Sequence, residues 1–163
     1  FAARTAAPRS CQFVAGGARR QDSVRLGLEA LAVKPPEWVL VHDGARPLCS
    51  PSLIDRVLDA LERHWAVVPT VPIHDTVRRR SDGSDHAGEV MDRSTLFRTQ
   101  TPQGFHWEVL YNSHKAAQSK GLQGTDDAQL VAMTGESGPQ HVTWVLGERR
   151  NIKVTAPADL MEA

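Results

Sequence analysis

Short apolar runs alternate with amphipathic stretches along the first half of the chain. Residues 11–15 read as a short strand ending at Gly16-Gly17. Asp22 or Ser23 then caps a helix to about Ala32, with Val24, Leu28 and Leu31 on one face. Pro35-Pro36 breaks that helix, and residues 38–41 form a second apolar run of strand length. Ser50-Pro51 opens another helix, with proline at the first helical position. Leu53, Val57, Leu58 and Leu61 keep helical spacing to about His64, and residues 66–71 are again apolar. Strand, helix, strand, helix, strand is the alternation of a parallel α/β sheet.

The rhythm breaks at residues 72–93. The stretch from Ile73 to Arg80 is extended in character, Ser81-Asp82-Gly83-Ser84 is turn-like, and the segment from Glu89 to Arg93 returns. This pattern predicts a hairpin projecting from the sheet. With so few apolar residues it cannot stand alone in water, so it should lean on a second subunit. After Thr101-Pro102-Gln103-Gly104 the spacing predicts a helix from about Trp107 to Lys120, ended by Gly121. Thr125 is the expected cap of a further helix to about Thr134, with Asp126 and Asp127 in its first turn and Gly135 at its end. Residues 141–146 and 152–154 read as strands, and Pro157 opens a last helix.

Within this framework Val41-His42-Asp43-Gly44-Ala45-Arg46-Pro47 is the stretch richest in chemistry. It follows the apolar run 38–41 directly, at the carboxyl end of a strand, where open α/β sheets place ligands. An Asp there can grip a divalent cation, and an Arg three residues on can meet a phosphate. The alternative is an ordinary polar turn. His42 neighbours Asp43, but adjacent strand residues point to opposite faces, so His42 is read as structural. Lys153 would be expensive to bury unpaired.

Composition narrows the classes. The 163 residues suit one domain with a sizeable core. Nineteen basic residues balance nineteen acidic ones, which argues against a nucleic-acid binder but leaves a small anionic ligand open. Cys11 and Cys49 are read as small buried hydrophobes rather than a disulfide. No Cys/His pattern has metal-ligand spacing, no apolar run approaches the roughly 18 residues of a membrane span, and residues 1–10 lack the apolar core of a signal peptide. A reducing cytoplasm is the expected location. The start at Phe1 rather than Met suggests a chain whose first part is missing.

Four segments in this order and spacing resemble the 2-C-methyl-D-erythritol 4-phosphate cytidylyltransferase family of the non-mevalonate isoprenoid pathway. They are Gly16-Gly17-Ala18-Arg19-Arg20-Gln21-Asp22-Ser23-Val24, Val41 to Pro47, Thr101-Pro102-Gln103 and Asn151-Ile152-Lys153-Val154-Thr155. Asp75-Thr76 and Asp92-Arg93 fit as well. The resemblance spans essentially the whole chain. It implies one nucleotidyltransferase domain over residues 1–163 with a doubly wound, Rossmann-like, mostly parallel sheet. A protruding β-hairpin arm, about residues 72–93, would build a homodimer. It also implies transfer of a cytidylyl group from CTP to methylerythritol phosphate, with release of pyrophosphate and a requirement for magnesium. The family's N-terminal strand and Gly-rich triphosphate loop have no counterpart here, so the expected domain is N-terminally incomplete. A different acceptor such as ribitol 5-phosphate, or a catalytically inert dimerising fragment, are the competing readings, and fusion to a cyclodiphosphate synthase is permitted.

By the same resemblance Asp43 is the magnesium ligand and Lys153 faces the reacting phosphate. Gly17 and Ser23 lie on the cytosine side, where glycine lets backbone approach the base and the serine hydroxyl can donate or accept; alone, Ser23 reads as a helix cap. Arg20 matches a nucleotide-side position of less defined role, and Ala18 stands where some members carry an acidic residue. Arg46 supports the metal or phosphate region, or makes a structural salt bridge. Thr76 and Arg93, on the arm, would reach across the dimer to the acceptor phosphate, with Thr101 shaping the same pocket; Arg93 can fork onto a phosphate, which Lys cannot. The run Arg78-Arg79-Arg80 raises the local potential for anions or is simply solvated.

Overall fold

The computed structural model describes residues 11–80, 85–135 and 142–161. In chain order, α1 (Arg20–Leu31) leads to β1 (Trp38–Val41), α2 (Pro51–Leu61) and β2 (Ala66–Pro72). β3 (Val77–Arg80) and β4 (Ala87–Met91) follow, then β5 (Phe97–Thr99) and β6 (Gln103–His106). α3 (Trp107–Lys120), α4 (Asp127–Thr134), β7 (Val142–Leu146) and a 3-10 turn (Pro157–Met161), in place of the expected last helix, follow among the described residues.

The sheet runs β1-β6-β2-β5, with β7 on the other side of β2. β1, β2 and β7 point the same way, as the α/β alternation demands. The sheet is nevertheless mixed rather than mostly parallel. β6 lies antiparallel between β1 and β2, β5 is antiparallel to β2, and β2–β7 is the parallel pair. The segment Gln103-Gly104-Phe105-His106 carries no strand pattern and reads as a loop. It becomes a strand because both its neighbours offer unpaired backbone, with Val39 opposite Phe105 on one side and Ala66 opposite Phe105 on the other.

Strand alternation divides the core in two. Ala66, Val68, Phe105, Val39 and Val41 face the helices that supply Leu28, Leu110 and Val131. Val67, Trp38, Leu40 and Val145 face the α2 residues Val57, Ala60 and Leu61. Helices therefore cover both faces. Gly104 stands between Leu40 and Val67 on the α2 side. A Cβ there would lie 2.6 Å from Val57 Cγ1 and 2.9 Å from Leu61 Cδ1, so glycine is what lets α2 settle onto the sheet.

Several boundaries follow local chemistry. The Ser50 side chain accepts from the Leu53 N–H, with Pro51 at the first helical position. Gly121 ends α3 in the left-handed region at φ 63°. Others differ from the expectation. Residues 11–15 and 152–154 form no strand, for lack of a paired neighbour among the described residues. α1 begins at Arg20 with Arg19 as its N-cap, so Asp22 and Ser23 sit inside the first turn. Asp126, not Thr125, caps α4 by accepting from the Gln129 N–H. Cys11 is exposed, not a buried hydrophobe, and both cysteines are free. β3 and β4 pair antiparallel, whereas the turn expected at 81–84 and the strand start at His141 fall outside the described residues. No described helix is long and apolar enough to cross a membrane.

Gly104→Ala is expected to lower unfolding free energy by about 1–3 kcal/mol through overpacking against Val57 and Leu61, read as a lower midpoint in denaturant unfolding. An unchanged midpoint would mean that α2 lifts off the sheet at no cost.

Candidate active site

β1 delivers Asp43 two residues beyond its end. The Asp43 backbone N–H donates to Thr101 Oγ1 at 3.0 Å, and His42 Nδ1 meets the same hydroxyl at 3.0 Å. His42 Nε2 lies 3.0 Å from the Arg46 carbonyl oxygen. His42 lies just beyond the end of β1, so the strand alternation expected for it does not apply; it ties the 43–46 turn to the loop that precedes β6.

Three cations converge on the Asp43 carboxylate. Lys153 Nζ lies 2.9 Å from Oδ2, Arg20 Nε 3.1 Å from Oδ1, and Arg46 Nε 4.0 Å from Oδ2. Burial is the largest single influence on the Asp43 carboxyl and would raise its pKa. The hydrogen bonds and charges of Lys153 and Arg20 together outweigh it and hold the group below the usual carboxylate range. For Arg20 burial pulls down, but Asp127 and Asp43 leave the guanidinium above its ordinary value. Burial lowers Arg46, against the attraction of Asp43.

Each cation has its own anchor. Arg46 donates through Nη1 to the Asn151 carbonyl at 2.7 Å and through Nη2 to the Thr99 carbonyl at 3.5 Å. Lys153 rides on a segment without strand pairing, held where the Val154 N–H donates to the Ala45 carbonyl at 2.8 Å. Arg20 reaches forward from the first turn of α1.

These groups border a cleft of about 220 Å³, with Thr99, Gln100, Gln103, Thr125 and Asp126 also in its wall. Arg20, Asp43, Arg46, Thr101 and Lys153 are therefore brought together from four distant segments. Gly17 and Ser23 stand apart from this cleft. The Gly17 N–H donates to Ser23 Oγ at 3.0 Å, and Ser23 lines a larger groove of about 520 Å³ between α1 and β1. Thr76 and Arg93 are also outside it. Arg93 donates to the His74 carbonyl at the base of the β3–β4 hairpin. Sequence reasoning missed Thr99, Gln100, Gln103, Thr125 and Asp126 as cleft residues. The polar triplet Thr125-Asp126-Asp127 reads in the sequence only as a helix start, although its density of oxygen ligands at one element end is a usable signal.

Among the described residues no cluster of three or more His, Cys, Asp or Glu could cage a metal. Asp126 is committed to capping α4 and to accepting from Gln103 Nε2 at 2.9 Å. Asp43 remains as a single hard carboxylate, which fits an ion such as magnesium that takes its other ligands from phosphate and water.

The family model of 2-C-methyl-D-erythritol 4-phosphate cytidylyltransferase (IspD) matches residues 2–163. A bifunctional enzyme IspD/IspF of Rhodospirillum rubrum is 45% identical over 150 residues, covering 92% of this chain and 37% of that protein. A 2-C-methyl-D-erythritol 4-phosphate cytidylyltransferase of Syntrophotalea carbinolica is 42% identical over 151 residues, covering 93% of this chain and 62% of that one. The chain thus spans less than two thirds of the length of these relatives. The crystal structure of the cytidylyltransferase of that name from Thermus thermophilus superposes with a TM-score of 0.82 at 41% identity, covering 97% of this chain and 75% of that chain.

Because the folded Asp43 carboxyl lies below its unfolded value, its stabilisation is complete above the unfolded pKa, about 3.9, and is lost as pH falls through the folded value. The stability difference between the unsubstituted protein and Asp43→Asn should therefore shrink below about pH 4. Denaturant unfolding across that range checks it; a difference independent of pH would refute the ion-pair origin.

Proposed function

The chain belongs to the 2-C-methyl-D-erythritol 4-phosphate cytidylyltransferase family, and from that premise we propose that the protein carrying it transfers a cytidylyl group from CTP to methylerythritol phosphate. An oxygen of the acceptor phosphate forms a bond to the α-phosphorus of CTP as the bond to the β-phosphate oxygen breaks, and pyrophosphate leaves with that electron pair. Such chemistry depends on positioning and on neutralising growing negative charge. The observation that carries this reading is the convergence of Lys153, Arg20 and Arg46 around Asp43 at the mouth of the cleft.

Lys153 is the cation proposed to face the reacting phosphate; its side chain is 44% exposed and pairs only at its tip. Lys153 and Arg20 keep Asp43 ionised. Asp43 is the residue that would hold magnesium, which when bound supplies further neutralisation of phosphate charge. Gly17 and Ser23 are proposed to receive the cytosine, since they sit at the start of the helix whose first turn sends Arg20 to the cleft. Thr101 fixes Asp43 through its hydroxyl and borders the acceptor side.

The domain is proposed to work as a homodimer in the cytoplasm, with the arm at about 72–93 crossing to its partner. Two features support the dimer. Thr76 and Arg93 do not line their own chain's cleft, as residues serving a second one would not. On β5 and β7 Phe97, Trp144 and Leu146 are 45%, 56% and 60% exposed, with the two rings 5.2 Å apart. An aromatic patch of this kind marks an interaction surface.

The full-length protein, with CTP, magnesium and methylerythritol phosphate, is expected to release pyrophosphate in a coupled assay; silence with this acceptor and release with ribitol 5-phosphate would move the function to that alcohol phosphate. Lys153→Ala should lower kcat by about 10²–10³. Arg93→Ala should raise the KM for the acceptor far more than that for CTP. Equal effects on both would refute an acceptor role for the arm.

A further inference from the structure

Behind the cleft lies a carboxylate with no role in the assignments above. Asp127, in the first turn of α4, has a side chain 2% exposed, and His114, on α3, one 1% exposed. His114 Nε2 lies 3.0 Å from Asp127 Oδ1. Asp127 Oδ2 lies 2.8 Å from Arg20 Nη1, and Arg20 Nε lies 3.1 Å from Asp43 Oδ1. Four side chains from α3, α4, α1 and the end of β1 thus form one continuous line from the interior to the cleft.

Burying a carboxylate is costly unless it is paired, and a hydrophobic pair of similar shape would often serve stability as well. The second ring nitrogen of His114 is buried without a hydrogen-bond partner among the described residues, so the ring is oriented for Asp127 alone, while Asp127 Oδ2 meets Arg20 as a close ion pair without hydrogen-bond geometry. What the line controls is the guanidinium of Arg20. A long side chain that is one third exposed loses rotamer freedom to hold a single exposed ion pair, and such pairs are weak. Held along one edge by Asp127 and along another by Asp43, the planar fork has one orientation. In that orientation Arg20 takes Oδ1 of Asp43 and leaves Oδ2 to Lys153.

We propose that Asp127, oriented by His114, is a positioning residue that divides Arg20 between two carboxylates and so keeps one oxygen of Asp43 for Lys153 and the cleft. The proposal rests on the reading of the cleft as the site of cytidylyl transfer. Without the Asp127 charge, Arg20 Nη1 is released and can close onto Asp43 in a bidentate pair, displacing Lys153.

The test is a double-mutant cycle in the full-length protein. Asp127→Asn should lower kcat/KM by about ten- to a hundredfold, chiefly through kcat. In an Arg20→Lys background the same change should have less than about a twofold effect, because its only route has been removed. Additive losses in the two backgrounds, or no loss in either, would overturn the proposal. His114→Gln, which can still donate to Asp127, should recover activity relative to His114→Ala; equal losses would remove His114 from the line. A readout independent of turnover is the Arg20 Nε–H resonance in a side-chain ¹H–¹⁵N spectrum, assigned by its absence in Arg20→Lys. It should be sharp in the unsubstituted protein and broaden or vanish in Asp127→Asn while the backbone spectrum persists. An unaltered resonance would refute positioning even if activity fell. A protein that shows this resonance pattern but makes no CDP-methylerythritol would instead overturn the proposed function and leave the positioning intact.

Discussion

Everything around the cleft is arranged to keep one carboxylate ionised among three cations. Asp43 is largely enclosed, with 14% of its side chain exposed, and burial alone would push a proton onto it. The cations prevent that, yet they also repel one another and would drift apart if each had only Asp43 to hold. Arg46 is stopped by the carbonyls of Asn151 and Thr99, Arg20 by Asp127, and Lys153 by its short tether to Ala45. The ion cluster is therefore stable only because neutral backbone oxygens and one buried carboxylate take up the donors that Asp43 cannot satisfy.

That requirement explains why the floor of the cleft is polar but closed. Gln100, Thr101, Gln103 and Asn151 are all buried; the Gln100 and Asn151 amides join the segment before β6 to residues 148–151, and the Gln103 amide bonds the start of α4. Gln100 Nε2 donates to the carbonyls of Glu148 and Asn151 at 2.8 and 3.1 Å, while its Oε1 accepts from the Glu148 N–H at 3.0 Å. Asn151 Nδ2 donates to the Thr101 carbonyl at 2.8 Å. These bonds do for residues 148–154 what a strand ladder does elsewhere, and they explain why Lys153 is positioned although its segment pairs with no strand. A buried network of this kind resists rearrangement, because each lost partner leaves an orphaned polar group, as Asn151 Oδ1 already is among the described residues.

Much of this was legible in the sequence where the cause is local. Ser50-Pro51 and Gly121 mark helix ends by their own chemistry, and α2 and α3 fall close to where those signals place them. The apolar run ending in Asp43 marked the carboxyl end of a strand for the same reason. What stayed hidden depends on partners distant along the chain. β6 has three small or polar residues in four and becomes a strand only between β1 and β2, and that insertion turns an expected parallel sheet into a mixed one. The side chains of His114 and Asp127 look like ordinary helix residues until α3 and α4 pack together. Arg46 stood between two readings in the sequence, and its bond to the Asn151 carbonyl, 105 residues away, gives it structural work inside the cleft wall.

Equal numbers of acidic and basic residues make the chain neutral as a whole, which says little about the field at any one point. In the cleft the charges are sorted by tertiary contact: Arg20 from α1, Arg46 from the turn after β1 and Lys153 from near the end of the chain. Local sorting outweighs net charge here because the cations share a partly buried volume, where interactions are screened far less than on the surface. Each cation already has a fixed partner, so the phosphate proposed to bind there would meet side chains that need little reorganisation. A neutral protein can thus present a preorganised site for an anion, provided that the buried residues behind the site keep its cations from collapsing onto the one carboxylate they share.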